Sequence, residues 1–404
     1  MIFITFIACV SQAASISAAA LTGGATSSAG SSAIRRQGGS NVNLDTHLNA
    51  DDVKATIRRV AEWQMNHPAA YPPDNWSMAP LYDGLIDASL VTGDPKYLAA
   101  VIRAGRRVNF APGQRLGNAD SHAVGHAWLR IVLMNPQRDP EMLQRFEAHF
   151  LEILAQRERG LGWSWADALY MAPPTLVRLT QATGDSRYLD LAQSEFQATK
   201  VALYDTGDRL FYRDAAYIGM RTPNGGKVFW SRGNGWVYAS LVEVLDGLPN
   251  DHPSRAFYLD LFREMSPAIL QAQQQDGLWY PNLADAQQVP IGETSGSALF
   301  LFGMAWGVEQ GILDTETYIP AIERGWQGLL TRIQPDGKVN YVQPIAPAPR
   351  GFDPSTSRPY GAGAVLGAGA AILRLLNAEA VADPVLLRDQ AEQLADVAPD
   401  LSSP

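Results

Sequence analysis

Cysteine is almost missing from this chain of 404 residues: its one thiol is Cys9, in the leader-like N-terminus. A chain processed past that leader would have no disulfide, no thiolate metal site and no thiol nucleophile. No G-x-S-x-G elbow occurs, and no Gly-rich phosphate loop ends in Lys, so serine-hydrolase and nucleotide chemistry lack their usual signatures. Runs of Lys and Arg are absent too. The 32 basic residues are scattered among 41 acidic ones, for a net charge of −9, which leaves no positive face for nucleic acid or an anionic bilayer. An anionic ligand then has to be met by a few placed Arg or Lys side chains. Past the N-terminus no run approaches the roughly 18 apolar residues of a membrane span.

What is present starts with a leader. Met1 to Ala8 is largely apolar, Ser/Ala-rich sequence follows through Ser32, and small-x-small patterns such as Ser11-Gln12-Ala13 occur. This is the expected form of a secretory leader over residues 1–40, placing the protein in the periplasm or outside the cell, although the usual Lys or Arg ahead of the apolar stretch is missing. A misassigned start or an unstructured tail are the alternatives. The stretch holds two arginines and no acid, so its removal leaves a net charge of −11.

From Asp51 onward apolar residues recur at three and four with little strand-like alternation, which predicts an all-α chain. The spacing predicts helices at 51–66, 79–92, 94–107, 121–135, 139–158, 168–183, 185–201, 235–247, 253–274, 295–311, 315–332 and 360–376. These make one domain over 41–380, followed by a helix and a disordered tail over 381–404. Two stretches share a T-G-D-x-[KR]-Y-L core, at Thr92 to Leu98 and at Thr183 to Leu189, and Glu309 to Tyr318 is a looser copy. In each the Gly ends one helix in a left-handed cap and the Asp caps the next, a tight helical hairpin. Antiparallel pairs form either an open solenoid or a closed ring; the strong differences among the repeats favour closure. The long loops, 108–120, 159–167, 202–235 and 275–295, are where chemistry is expected.

Four clusters stand out. Gly117 to His126 places Asp120 before a helix, where capping is the plain reading; His122 and His126 have metal-ligand spacing but no third ligand is indicated, so no metal is expected. Asp167 lies among Trp163, Trp165 and Tyr170, where burial would raise its pKa toward that of a general acid, although the following Pro pair also suits a helix entry. Trp230 and Trp236 bracket Arg232 with Gly spacers that would let backbone approach a ligand; indoles suit sugar rings and a guanidinium suits a carboxylate, while an Arg merely stacked on Trp is the alternative. Thr294 and Ser295 bring hydroxyls to a helix start, and Trp76 with Tyr82 makes a further aromatic pair that core packing explains equally well. An acidic helical ring with two loop carboxylates, many aromatics and a bracketed Arg points to carbohydrate chemistry.

At these residues the sequence resembles glycoside hydrolase family 105, the unsaturated glycuronyl and rhamnogalacturonyl hydrolases. The matching stretches are N-A-D-S-H-A-V-G at 118–125, W-A-D-A-L-Y-M-A-P-P at 165–174, F-W-S-R-G-N-G-W at 229–236, Q-Q-x-D-G-L-W at 273–279 and E-T-S-G-S-A at 293–298. The resemblance implies an (α/α)6 barrel that hydrates the C4=C5 double bond of a non-reducing uronic acid left by a polysaccharide lyase. It implies Asp167 as general acid/base and Asp120 as the second carboxylate. Trp165, Met171, Trp230, Arg232 and Trp236 become pocket wall, with Arg232 the partner of the uronate carboxylate. Trp76, Tyr82, His122, Thr294 and Ser295 complete the candidate binding set. No cofactor is expected, since proton transfer and water suffice; the partner is an unsaturated uronic-acid oligosaccharide, and the chain is expected as a monomer or homodimer. A His used by some family members before the W-x-R-G-N-G-W segment has no counterpart between His149 and His252; Arg213-Asp214 stands in that neighbourhood. An inverting glycosidase on saturated sugars and a non-catalytic oligosaccharide-binding toroid are the rival readings.

Overall fold

The computed structural model describes residues 46–135, 140–156, 161–376 and 381–402; the expected leader lies outside them. In chain order the helices are α1 (Ala50–Asn66), α2 (Ala79–Thr92), α3 (Pro95–Arg107), α4 (Gly125–Met134), α5 (Pro140–Gln156), α6 (Ala168–Met171), α7 (Pro173–Thr183), α8 (Ser186–Leu203), α9 (Ser231–Gly247), α10 (Arg255–Gln271), α11 (Thr294–Glu309), α12 (Thr315–Leu330), α13 (Pro359–Leu376) and α14 (Pro384–Leu394). A short antiparallel pair, β1 (Tyr204–Asp205) and β2 (Leu210–Phe211), completes them with Tyr204 opposite Phe211.

The repeated turn does what its residues dictate. Gly93, Gly184 and Gly311 all take positive φ, at 72°, 76° and 67°, a conformation open to Gly without a Cβ penalty. Asp94, Asp185 and Asp314 then cap α3, α8 and α12 by accepting from the backbone N–H groups of Lys96, Arg187 and Thr317. Tyr97 and Leu98, like Tyr188 and Leu189, are buried against the neighbouring helices.

The apolar patterns separate two layers. Helices α2, α11 and α13 are buried along nearly their whole length, whereas α3 buries one stripe through Leu98, Val101 and Ile102 and exposes Arg106. A helix apolar all round has to be covered on every side. Accordingly α2, α4, α7, α9, α11 and α13 pack in succession, and α13 packs back onto α2; α1, α3, α5, α8, α10 and α12 wrap this inner ring. The result is an (α/α)6 barrel. One helix departs from the expectation that no run approaches a membrane span: α13 is, among the described residues, the one helix long and apolar enough to cross a membrane, and 83% of that window is buried, the pattern of a core helix.

Several boundaries differ from expectation for local reasons. The predicted helix at 168–183 is broken by Pro173-Pro174 into α6 and α7, because proline disfavours helical backbone before it and lacks an N–H. The helix expected at 121 is first a 3-10 turn, Ala119–His122, and α4 starts at Gly125. Helix α9 starts four residues early, at Ser231, so Arg232 lies in its first turn. The expected disorder after the last helix also gives way to contacts. Helix α14 packs on α3 and α4, the fully buried Arg388 donates to the Ile131 carbonyl at 2.7 Å, and Arg103 and Arg107 hold Asp400 and the Ser402 carbonyl at 2.9 and 3.0 Å.

Because outer and inner helices alternate, every outer-to-inner connection reaches the N-terminal end of an inner helix. Those connections are the long ones, while the returns are tight turns such as Gly93-Asp94. The long loops therefore gather at one face, where the N–H ends of the inner helices also point.

Close approach of α2 and α13 depends on missing side chains: a Cβ on Gly363 would lie 2.1 Å from the Pro80 carbonyl oxygen. Gly363→Ala is expected to destabilise the protein by about 1–3 kcal/mol through overpacking against backbone. Gly367→Ala, whose Cβ would meet nothing closer than Phe302 at 3.8 Å, is expected to be neutral or mildly stabilising. Urea melts of the two variants check this.

Candidate active site

Asp120 and Asp167 are both released from capping. The cap position of the 119–122 turn falls on Asn118, leaving Asp120 inside the turn. Asp167 stands at the cap position of α6 but makes no capping hydrogen bond. Helix α6 packs against both the 119–122 turn and α9, which gathers the two aspartates with the Arg232 segment. Their charges act on one another: Asp167 is pushed up to about 6, first by burial, with Arg213 and Arg232 opposing and Asp120 reinforcing. Its Oδ2 is buried and without a hydrogen-bond partner. Asp120, half-buried, is also raised by burial, against Arg115 and Arg213.

Arg213 opposes the rise of both. Its Nε lies 3.5 Å from Asp167 Oδ2 and its Nη1 donates to Asp214 Oδ2 at 2.7 Å. The segment is fixed from two sides. Ala166 N donates to the Arg213 carbonyl at 2.8 Å, with Trp165 and Asp214 paired antiparallel. Asn234, the Asn of the R-G-N-G-W motif, accepts from Phe211 N at 2.8 Å and donates to Phe211 O at 2.9 Å. The motif's amide is thus a clamp on the loop that carries Arg213.

Arg232 departs from its expected role. Its side chain is 1% exposed, and its guanidinium is stacked between Trp230 and Tyr360, 4.6 and 5.0 Å from the ring centroids. Nη1 and Nη2 donate to the carbonyls of Gln343 and Pro344 at 2.6 and 2.9 Å. This is the geometry of the stacked-Arg alternative, with Nε alone left without a hydrogen bond. Beside it the buried Glu293 accepts from Ser295 N, Ser295 Oγ, Gly296 N and Gln343 N, while Trp230 Nε1 donates to Gln343 Oε1 at 2.9 Å. The Gly spacers serve this packing: a Cβ on Gly233 would meet the Trp230 ring at 2.9 Å, and one on Gly235 would meet Leu299 at 3.0 Å.

Other expected binding residues fall behind the wall. Tyr82 is fully buried and donates to the Pro73 carbonyl at 3.0 Å. Thr294 and Ser295 are fully buried, their hydroxyls on Asn340 O and Glu293. Trp236 is buried against Tyr170, centroids 4.7 Å apart. His122 is buried among His149, Phe150 and Trp163, and burial holds its pKa down at about 3. His126 faces Asp83 and Tyr170 instead, 3.3 Å from the Asp83 carboxylate, because the 3-10 turn breaks the helical spacing between the two histidines. Met171 and Trp230 are 2% exposed, and Trp76 and Trp165 are half-buried, so these two indoles retain surface for a sugar ring. Trp76 is stacked on Tyr360 at 5.6 Å.

The residues that the motifs did not announce are Arg115, Gln343 and Tyr360. Arg115 is largely exposed, 3.9 Å from Asp120. Gln343 ties the site together through its carbonyl, which also accepts from Tyr360 Oη at 2.7 Å, its N–H and its side-chain amide, and the backbone part of this leaves no trace in residue type.

Known proteins carry the same fold and sequence pattern. The chain is 35% identical to an unsaturated 3S-rhamnoglycuronyl hydrolase of Formosa agariphila, over 81% of this chain and 92% of that protein. It is 30% identical to a protein of the same name from Alteromonas sp., over 82% and 89% of the two chains. A solved glycosyl hydrolase family 88 structure from Bacteroides vulgatus superposes with a TM-score of 0.76 at 28% identity, covering 81% of this chain and all of that one. The family model described as Glycosyl Hydrolase Family 88 matches residues 50–378; the chain belongs to that family and is an enzyme that hydrolyses glycosides.

Proposed function

We propose that this enzyme hydrates the C4=C5 double bond of an unsaturated uronic acid at the non-reducing end of a lyase-generated oligosaccharide, and so releases the next sugar. The observation that carries the reading is Asp167: a buried carboxyl at the loop face of the barrel whose Oδ2 makes no hydrogen bond and whose pKa burial pushes up to about 6. A general acid needs both properties.

An enol ether is electron-rich at C4. Asp167 gives its proton to C4, and positive charge develops at C5 and the ring oxygen. Asp120, ionised and partly shielded from water, stabilises that charge. A water adds to C5 and passes a proton to the Asp167 carboxylate, which restores the acid. The product is a hemiketal; its ring opens to a C5 ketone, and the hemiacetal left at C1 expels the neighbouring sugar as an alcohol. One water is consumed and one glycosidic bond is broken. Trp76 and Trp165 supply indole surface for the sugars, and the names of the two relatives support an unsaturated glycuronyl unit linked to rhamnose as the substrate class.

Incubation with an unsaturated glycuronyl–rhamnose disaccharide is expected to abolish the ultraviolet absorbance of the conjugated double bond. Equal cleavage of the saturated analogue would favour an inverting glycosidase instead. Asp167→Asn, nearly isosteric, is expected to lower kcat by several orders of magnitude while retaining binding, read by absorbance decay and calorimetric titration.

The pH dependence follows from the two carboxyls. Asp167 has to be protonated, so kcat/KM is expected to fall as pH rises through about 6. Asp120 has to be ionised, so the acid limb lies above the usual carboxylate range. A pH profile flat across pH 5 to 8, a window of roughly one unit below to two above the acid's pKa, would rule out this pair.

A further inference from the structure

A uronate substrate brings its own negative charge into a site that already holds two carboxyls, so a cation has to meet it. Arg232 is poorly placed to do so: both its Nη atoms serve carbonyls of the 331–358 loop, its guanidinium is stacked on Trp230 and Tyr360, and its one unpartnered nitrogen, Nε, is buried in a side chain 1% exposed.

Arg213 differs in exposure and in having an open Nη2. Its side chain is 28% exposed, and its Nη1 is fixed by Asp214 at 2.7 Å, which sets the plane of the guanidinium. On the other edge Nη2 is open, with no hydrogen bond among the described residues, while Nε is buried against the Asp167 carboxyl without a hydrogen bond of its own. That edge is turned toward the acid, with Nε 3.5 Å from Asp167 Oδ2. Two parallel N–H groups on one edge of a guanidinium are the geometry that takes a carboxylate by paired hydrogen bonds. The backbone beneath is held by Ala166 at Arg213 itself and by Asn234 at Phe211, so the fork is presented from a pinned segment.

Resting on the hydration reading above, we propose that Arg213 is the specificity-determining residue that receives the uronate carboxylate, at its open Nη2 and on the edge that Nη2 shares with Nε beside Asp167. The chemistry of the substrate explains why this cation stands beside the acid. The carboxylate carbon is bonded to C5, and C4 is the next ring atom. A receptor for that carboxylate in contact with Asp167 therefore sets C4 against the proton donor, and it screens the substrate's charge from Asp120 and from Asp167 once the proton has left.

The test compares the unsaturated disaccharide with its uronate methyl ester, which removes the charge and keeps the double bond, in the wild type, Arg213→Gln and Arg213→Lys. The wild type is expected to prefer the acid over the ester by about 10- to 100-fold in kcat/KM, the size of one lost charge-assisted pair. Arg213→Gln is expected to lose a similar factor on the acid, mainly in KM, and to treat acid and ester alike. Arg213→Lys, which keeps the charge without the fork, is expected to recover part of the preference, and it serves as the readout should the Gln variant fold poorly. Persistence of the full preference for the acid in either folded variant overturns the assignment, as does a wild type that turns over acid and ester equally; in both cases the hydration reading stands. A wild type that turns over neither brings down both.

Discussion

A carboxyl group held out of water with no hydrogen bond on one of its oxygens is an expensive arrangement, and the rest of the site follows from how Asp167 is kept in it. Burial favours the neutral acid, and the nearest cation, Arg213, is too far and too poorly aligned to convert it fully into an ion pair. Had Asp167 capped α6 as its position invites, two backbone N–H groups would have held it ionised. The 3-10 entry at Ala119–His122 and the broken helix at Pro173 keep both aspartates away from that role.

The barrel supplies the stiffness that such an arrangement needs. Loops alone would relax to hydrate or neutralise the acid; here they are tied to one another by buried polar groups. Asn234 fixes the 204–230 loop, Glu293 fixes the start of α11 to Gln343, and Arg232 fixes the 331–358 loop through two carbonyls. Breaking a buried charged hydrogen bond is far more costly than its formation is favourable, so each tie specifies geometry more than it adds stability. The motif residues flanking the site are thus mostly its frame, with the reacting groups projecting from that frame.

The helical ring is legible in the sequence because it rests on periodicity and turn chemistry: the three Gly-Asp turns act as their residues require, and the hairpins fall where the apolar spacing puts them. The two aspartates are legible as acids in loops beside aromatics. What is not legible is direction. Arg232, Trp236, Thr294 and Ser295 lie in the right segments, yet a residue type does not reveal whether its side chain faces a cavity or a neighbouring helix. Arg232 turns away from its expected role because α9 starts at Ser231, and that single added turn swings the guanidinium between two rings. Arg213 is visible in the sequence only as what stands where some relatives carry a His; its place beside Asp167 comes from a loop pairing with Ala166 that only three-dimensional contact creates. The fastening of the chain end also depends on partners, Arg103, Arg107 and Ile131, that are remote in sequence.

A ring closed by α13 on α1 and α2 has no loose rim from which helices can peel away one at a time. An open array frays from its ends; this molecule instead has to part at a seam where glycines bring two backbones together, and its last strap, α14, crosses to α3 and α4 elsewhere on the ring. Opening is therefore expected to be rare and abrupt, which gives a slow clock for loss of activity and little foothold for a protease.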